Sequence, residues 1–153
     1  MKLFLDSSAL AKLWLQEEHS EAVRGEFQRA EARCASVLAL VEVRSTLGRV
    51  RRERRLTLEW LAKIEAAAML DFESITTIDV DAGLATDAGI LAAAHGLKSL
   101  DALHLATALA VVADQPDEGW TFVTYDTQLA TAASFERLAV WPPGPRKAKS
   151  KTP

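Results

Sequence analysis

Hydrophobic residues along the chain fall into two patterns, short continuous runs and longer stretches at helical spacing. Short runs bounded by turn residues predict buried strands, and they occur at residues 3–5, 35–37, 74–78, 120–124 and 138–140. Apolar positions three and four apart predict helices, and they occur from Ser8 onward, over residues 20–30, 38–54, 57–70 and 81–94, from Ser99 onward, and briefly after Asp126. Strands and helices therefore alternate. This order predicts an α/β fold with a mostly parallel sheet of four or five strands, covered by helices on both faces.

Residues that favour the ends of helices, or loops, mark several boundaries of the predicted elements. Thr57 and Ser99 are predicted to cap the starts of two helices, and Gly96 is predicted to close the helix before the second of them. The stretch 115–119, which contains a proline, predicts a loop. A run of prolines and glycine begins at residue 142. We therefore expect one domain over residues 1–141 and a basic, disordered tail over residues 142–153.

The cysteine content and the apolar runs bear on where the protein works. The 153 residues include one cysteine, Cys34, which has no partner for an internal disulfide. This composition favours a reducing compartment, and we expect a cytoplasmic protein. Charged residues interrupt every apolar run well short of the roughly 18 residues that a membrane span needs. The apolar start of the chain is also too short for a secretory signal.

Charge is distributed unevenly along the chain. The net charge is −3, but the tail holds four of the 18 lysines and arginines, which leaves 14 basic residues against 21 acidic ones in residues 1–141. An acidic body argues against nucleic-acid binding through a broad basic face. Contact with RNA would need a local patch or a metal ion that neutralises the site.

One dense basic run stands out, and three interpretations of it remain open. It comprises Arg49, Arg51, Arg52, Arg54 and Arg55. These arginines would suit RNA phosphates or an acidic partner protein. They would equally suit a solvated helix end, where positive charge complements the helix dipole.

Four acidic residues far apart in sequence are predicted to converge. Asp6 and Asp126 each follow a predicted strand and should project from the carboxyl edge of the sheet, where α/β proteins bind ligands. Asp101 lies in the first turn of a predicted helix, and Glu42 lies in an otherwise apolar helical stretch. Carboxylates in one cleft repel each other unless a cation neutralises them. Oxygen-only ligands suit Mg²⁺ or Mn²⁺, and Cys34 with three scattered histidines offers no zinc set.

Each of these residues also has a plain structural interpretation. Asp6 is a favoured helix-capping residue, and Asp126 could serve as a turn residue. Glu42 could form a buried ion pair with Arg44 or Arg49.

Helix geometry offers plain alternatives for two further residues as well. Asp101 is favoured in a first helical turn by the dipole alone. His104, three residues after Asp101, lies on the same side of that helix. It is a candidate general base, but a packed histidine that is hydrogen-bonded within the fold is the favoured interpretation.

Four segments resemble, in the same order along the chain, the motifs of one nuclease family. They are residues 4–10 (FLDSSAL), 36–43 (SVLALVEV), 100–108 (LDALHLATA) and 122–126 (FVTYD). The set is similar to PIN-domain ribonucleases, especially the VapC toxins of bacterial toxin–antitoxin pairs. The resemblance extends to about residue 140. It depends on the four motifs occurring in this order, since each motif alone has low specificity.

The resemblance implies a PIN-like three-layer α/β/α sandwich and a Mg²⁺-dependent endoribonuclease, with Mn²⁺ as a possible substitute. A metal-activated water would be the nucleophile. The four acids would be both catalytic residues and metal ligands. From their positions alone, Ser8 could support them by orienting a ligand or water, or be a plain hydroxyl at a helix start, and Thr124 could help position the site or be an ordinary strand threonine. Separately from the resemblance, the basic run makes Arg49, Arg51, Arg52 and Arg55 the candidates for contact with RNA or a partner. An antitoxin that covers the site and a toxin homodimer are also implied.

Two other functions remain to be weighed. A catalytically silent domain of this fold could bind RNA or a partner protein. A phosphatase could use Asp6 as a covalent nucleophile, but such enzymes usually carry a second acid two residues later, where this chain has Ser8.

Overall fold

The computed structural model describes residues 1–143, so most of the predicted tail, residues 144–153, lies outside the described residues. The strands are β1 (Lys2–Leu5), β2 (Ala32–Ser36), β3 (Thr76–Ile78), β4 (Trp120–Val123) and β5 (Ala139–Trp141). The helices are α1 (Ser7–Trp14), α2 (Ser20–Arg29), α3 (Leu38–Arg52), α4 (Leu58–Glu73), α5 (Ala82–His95), α6 (Ser99–Asp114) and α7 (Thr127–Phe135).

All five strands are parallel, in the order β3-β2-β1-β4-β5. The chain builds outward from β1 to β3, then crosses back to place β4 on the other side of β1. Strand order therefore reverses between β1 and β4. In open parallel sheets, the connections that leave the two strands at such a switch point go to opposite faces and leave a crevice at the carboxyl edge.

The helices form one layer on each face of the sheet. Leu3 and Leu5 of β1 pack into the core formed with α1–α4, whereas Phe4 packs into the core formed with α5–α7. This division follows from the alternation of side chains along a strand. A strand buried on both faces must be apolar throughout, which explains the continuous apolar run. The predicted three-layer α/β/α sandwich is thus confirmed.

Three helix ends were predicted, two of them correctly. Thr57 caps α4, with its side chain accepting from the Trp60 N–H, and Gly96 ends α5 in the left-handed region at φ 65°. The prediction for Ser99 was wrong, because Lys98 is the N-cap residue of α6 and makes no side-chain cap. Ser99 is instead the first residue of the helix.

Strand β2 begins three residues before the predicted strand at 35–37. Its early residues include Arg33, a charge that masked the strand in the sequence pattern. The Arg33 guanidinium lies over the Phe27 ring, 4.6 Å from its centroid, and its Nε donates to the Phe27 carbonyl at 2.7 Å. Because the side chain folds back onto α2, the strand accommodates the charge.

In the described part of the chain, no single helix is long and apolar enough to cross a membrane. Helices α5 and α6 meet that criterion only when taken together, and they are bent by 116° at their junction.

Candidate metal centre at the carboxyl edge of the sheet

Asp6 follows β1 directly, and it is 2% exposed. One carboxylate oxygen, Oδ1, accepts from the Ala9 N–H at 2.8 Å and so caps α1. The other, Oδ2, accepts from the Thr124 hydroxyl at 2.6 Å. The Ser8 hydroxyl lies 2.8 Å from Oδ1 and 2.9 Å from Oδ2. The capping interpretation of Asp6 is therefore correct, and its carboxylate is also held from several sides.

Burial dominates the electrostatics of Asp6. It raises the pKa of this carboxyl above its ordinary value, because water is excluded from the charged form. The hydrogen bonds from Thr124, Ala9 and Ser8 oppose the rise in pKa, and so does the electrostatic influence of the His104 imidazole. A carboxylate in this setting gains from a nearby cation.

Ser8 and Thr124 tie the end of β1 to the end of β4. Besides contacting Asp6, the Ser8 Oγ accepts from the Tyr125 N–H at 2.9 Å. The Thr124 Oγ1 likewise accepts from the Asp126 N–H at 3.1 Å. Both predicted supporting residues thus contact Asp6, and they fix the two strand ends relative to each other.

Asp126 and Asp101 lie at the starts of helices α7 and α6. Asp126 is partly exposed and caps α7, its Oδ1 accepting from the Leu129 N–H at 2.8 Å. Burial raises the pKa of Asp101, and the negative charges of Asp126 and Glu42 raise it further, while His104 and Lys98 lower it. Since α6 leads into a parallel strand, its start lies near the carboxyl edge of the sheet. Asp101 is therefore within electrostatic range of both Asp126 and Glu42, while the convergence of all four acids on one ion stays a prediction.

Glu42 pairs with His104, not with either of the arginines considered for it. Its Oε2 contacts the Nε2 of His104, which is 1% exposed. Arg44 is exposed and its guanidinium lies 3.1 Å from the sulfur of Met69. Glu42 itself is partly exposed, with 22% of its side chain accessible, because the apolar stretch around it is not buried throughout.

The favoured interpretation of His104 as a packed, hydrogen-bonded histidine is confirmed. The sequence did not reveal that its partner is one of the four acids. The one signal available was its spacing of three residues from Asp101, which places both side chains on one side of α6.

The carboxylate oxygens of the four acids are ligands that suit a hard cation, although these side chains do not converge around a single position. Within residues 1–143, no three acidic, histidine or cysteine side chains form a group ready to hold an ion. Asp6 is fixed by its hydrogen bonds, whereas Glu42 and Asp126 are partly exposed, with one oxygen of Glu42 in contact with His104 and one of Asp126 capping α7. The carboxylate oxygens, their shared edge and the mutual repulsion felt by Asp101 suit Mg²⁺ or Mn²⁺.

The PIN domain family model matches residues 3–134. The chain belongs to the PIN-domain family. Over 140 residues, this PIN domain is 34% identical to Ribonuclease VapC45 of Mycobacterium tuberculosis (strain CDC 1551 / Oshkosh), with 92% of the chain and 94% of the relative covered.

Solved structures agree on the fold. VapC20 of Mycobacterium tuberculosis, described as a sarcin–ricin loop cleaving toxin, gives a TM-score of 0.61 at 18% identity, covering 85% of this chain and 94% of that one. VapBC2 of Rickettsia felis, solved bound to a DNA fragment from their promoter, gives 0.57 at 15% identity, covering 92% and 97%.

The arginine run of this PIN domain does not join the acids. Arg49, Arg51 and Arg52 are exposed in the last turn of α3, and Arg54 and Arg55 are exposed just beyond it. Glu42 lies near the start of the same helix. Seven residues separate it from Arg49, which corresponds to about 10 Å along the helix axis. The run's predicted role toward RNA or a partner stays a prediction.

Proposed function

We propose that this PIN domain is a Mg²⁺-dependent endoribonuclease that hydrolyses phosphodiester bonds in RNA. The observation that supports the proposal is the placement of Asp6 and Asp126 after β1 and β4, with Asp101 in the first turn of α6, where the charges of Asp126 and Glu42 raise its pKa. The relative VapC45 is named a ribonuclease, and the structural neighbour VapC20 is described as a toxin that cleaves the sarcin–ricin loop.

The four acids would hold the ion, with Mn²⁺ able to replace Mg²⁺. When bound, such an ion supplies Lewis-acid chemistry that lowers the pKa of a water molecule and stabilises charge on the phosphodiester. The chain's own contribution is to fix the donor oxygens. Ser8 and Thr124 hold Asp6 in place, and the partly exposed Glu42 and Asp126 present oxygens on the side open to a substrate.

A cognate antitoxin, a toxin homodimer and a cytoplasmic location belong to the same proposal. The resemblance to VapC toxins and the likeness to VapBC2 support the antitoxin. The exposed arginines at the end of α3 offer a cationic surface for RNA or for an acidic segment of that partner.

A second candidate is a catalytically silent RNA- or partner-binding module. It is favoured by the lack, within residues 1–143, of three side chains ready to close on one ion. Such a module should show no Mn²⁺ binding that depends on the four carboxylates, so its affinity should not fall when any of them is removed, which calorimetry would measure.

Cleavage of total RNA, with and without chelator, tests the proposed function. The purified protein is expected to cut RNA with Mg²⁺ or Mn²⁺, to stop when EDTA is added in excess, and to resume when Mg²⁺ is restored. Cutting that continues in EDTA would contradict the proposal.

Asp101→Asn and Asp114→Asn make a matched pair for the same assay, because they change the same side chain at opposite ends of α6. Asp101→Asn should lose more than about 100-fold in rate, since loss of a ligand should exceed the 10–100-fold typical of residues behind the ligands. Asp114→Asn should cut like the unaltered protein. Full activity in Asp101→Asn would mean that the proposed site does not cut the RNA, and that another site or a contaminating nuclease does.

A further inference from the structure

His104 is the buried histidine of the site, and it projects from α6 one turn after Asp101. Its two ring nitrogens have different surroundings. Nε2 contacts the Glu42 carboxylate, while Nδ1 is buried without a hydrogen-bond partner among the described residues. The imidazole therefore makes its one polar contact with a predicted metal ligand.

The donors and acceptors available determine the direction of the hydrogen bond between His104 and Glu42. An ionised carboxylate only accepts, so Nε2 must carry the hydrogen and His104 must donate. Burying the other nitrogen unpaired is costly. An apolar side chain would fill the same space without that cost, so packing alone does not account for a histidine here.

Glu42 needs an external contact to be held in place. It projects from α3 between the exposed Val41 and the well-packed Val43. A glutamate side chain samples many rotamers, and the loss of this freedom when the carboxylate binds an ion costs free energy. In residues 1–143, His104 is the hydrogen-bond partner recorded for Glu42, and it engages Oε2. The other oxygen, Oε1, remains available.

We propose that His104 is a positioning residue that holds Glu42 ready to bind a divalent cation. The inference rests on the proposed function, because it assumes that Glu42 is a ligand. Partners behind a metal ligand orient it and typically contribute 10–100-fold to metal affinity. The contact spans 62 residues of sequence and two helices, so it also fixes the start of α3 against α6.

Mn²⁺ binding, measured by calorimetry and by electron paramagnetic resonance, tests the role without an activity assay. Four proteins are compared with the unaltered chain: His104→Leu, His104→Gln, Glu42→Gln and the double variant Glu42→Gln/His104→Leu. Leucine fills the space without a donor, and glutamine places an amide N–H at a similar reach. Thr107→Val is the matched control, since Thr107 is buried on the same helix and its hydroxyl donates only to the Leu103 carbonyl at 2.7 Å.

His104→Leu should weaken Mn²⁺ binding about 10–100-fold, and His104→Gln should restore most of the loss. The double variant should bind no more weakly than Glu42→Gln alone, because a residue acting through Glu42 has nothing to add once Glu42 is changed. Thr107→Val should bind normally.

The outcomes separate the two proposals. Unchanged Mn²⁺ affinity in His104→Leu, or losses that add in the double variant, would refute the positioning role alone. A lack of Mn²⁺ binding by the unaltered protein would refute the proposed function, and the inference with it. If His104→Leu does not fold, His104→Met, which also fills the space without a donor, takes its place and should show the same loss; unchanged Mn²⁺ affinity in that variant would refute the positioning role.

Discussion

At the ends of β1 and β4 the chain builds the same local arrangement twice. An aspartate follows a buried strand, and its carboxylate caps the next helix: Asp6 caps α1, and Asp126 caps α7. The settings differ. Asp6 is buried and held by Ser8 and Thr124 as well as by the helix, whereas Asp126 is partly exposed and accepts from the Leu129 N–H.

The difference shows that one local motif yields carboxylates of different character, depending on what packs above them. At the central strand β1, the loop after β4 covers Asp6 and supplies the Thr124 hydroxyl. At β4, which lies between β1 and the edge strand β5, the carboxylate of Asp126 stays accessible to water. We therefore expect Asp6 to be a fixed anchor for a cation and Asp126 to be an adaptable ligand.

The largest expected effect is on RNA cleavage by Asp6→Asn and Asp126→Asn. Asparagine caps helices about as well as aspartate, so both variants should fold. Asp6→Asn should lose more than about 100-fold in rate at any Mg²⁺ concentration, because nothing else can take the place of a fixed anchor. Asp126→Asn should lose less activity than Asp6→Asn and recover partly as Mg²⁺ is raised, because its carboxylate is accessible to water.

Initial rates over a Mg²⁺ titration would measure this difference, with circular dichroism to check folding. Equal losses with equal Mg²⁺ dependence would mean that the unequal burial of the two aspartates has no functional consequence.

A smaller effect is expected on stability from Thr124→Val. Valine keeps the shape but removes the donor to Asp6 and the acceptor for the Asp126 N–H. Loss of a buried partner costs about 1–3 kcal/mol of the free energy of unfolding. Urea unfolding would measure it, with Thr121→Val in the preceding strand, β4, as the control. If both variants lose the same stability, the hydroxyl does not link the two strand ends.

The smallest expected effect is on the way the free energy of unfolding changes with pH. Burial raises the pKa of Asp6 in the folded chain, so the folded state binds this proton more tightly than the unfolded state does. The stability that this group contributes is fully present below its unfolded pKa and is lost as pH rises through the folded pKa.

Asp6→Asn should therefore gain stability relative to the unaltered protein as pH rises, with both measured in chelator. Glu31→Gln should show the opposite trend, because the amino terminus lowers the pKa of Glu31. Its stabilising contribution is lost as pH falls. A pH-independent difference between Asp6→Asn and the unaltered protein would contradict the effect of burial.

Local patterns in the sequence predicted much of this molecule. The apolar runs located all five strands, and the helical spacing located all seven helices of the described chain. The positions of Asp6 and Asp126 directly after strands predicted the edge at which they meet. These features depend on residues close together in the sequence, through strand alternation, helix periodicity and capping. A short stretch of sequence is therefore enough to predict them.

Only the tertiary structure decided which side chains face one another. The strand order β3-β2-β1-β4-β5 puts the switch point between β1 and β4, and the arrangement of the two helix layers around the sheet brings Glu42 of α3 to His104 of α6. Such contacts depend on the summed packing of whole layers, and no spacing within one segment records them. The sequence by itself determined the acids and their elements, and the layered packing decided how each acid is held.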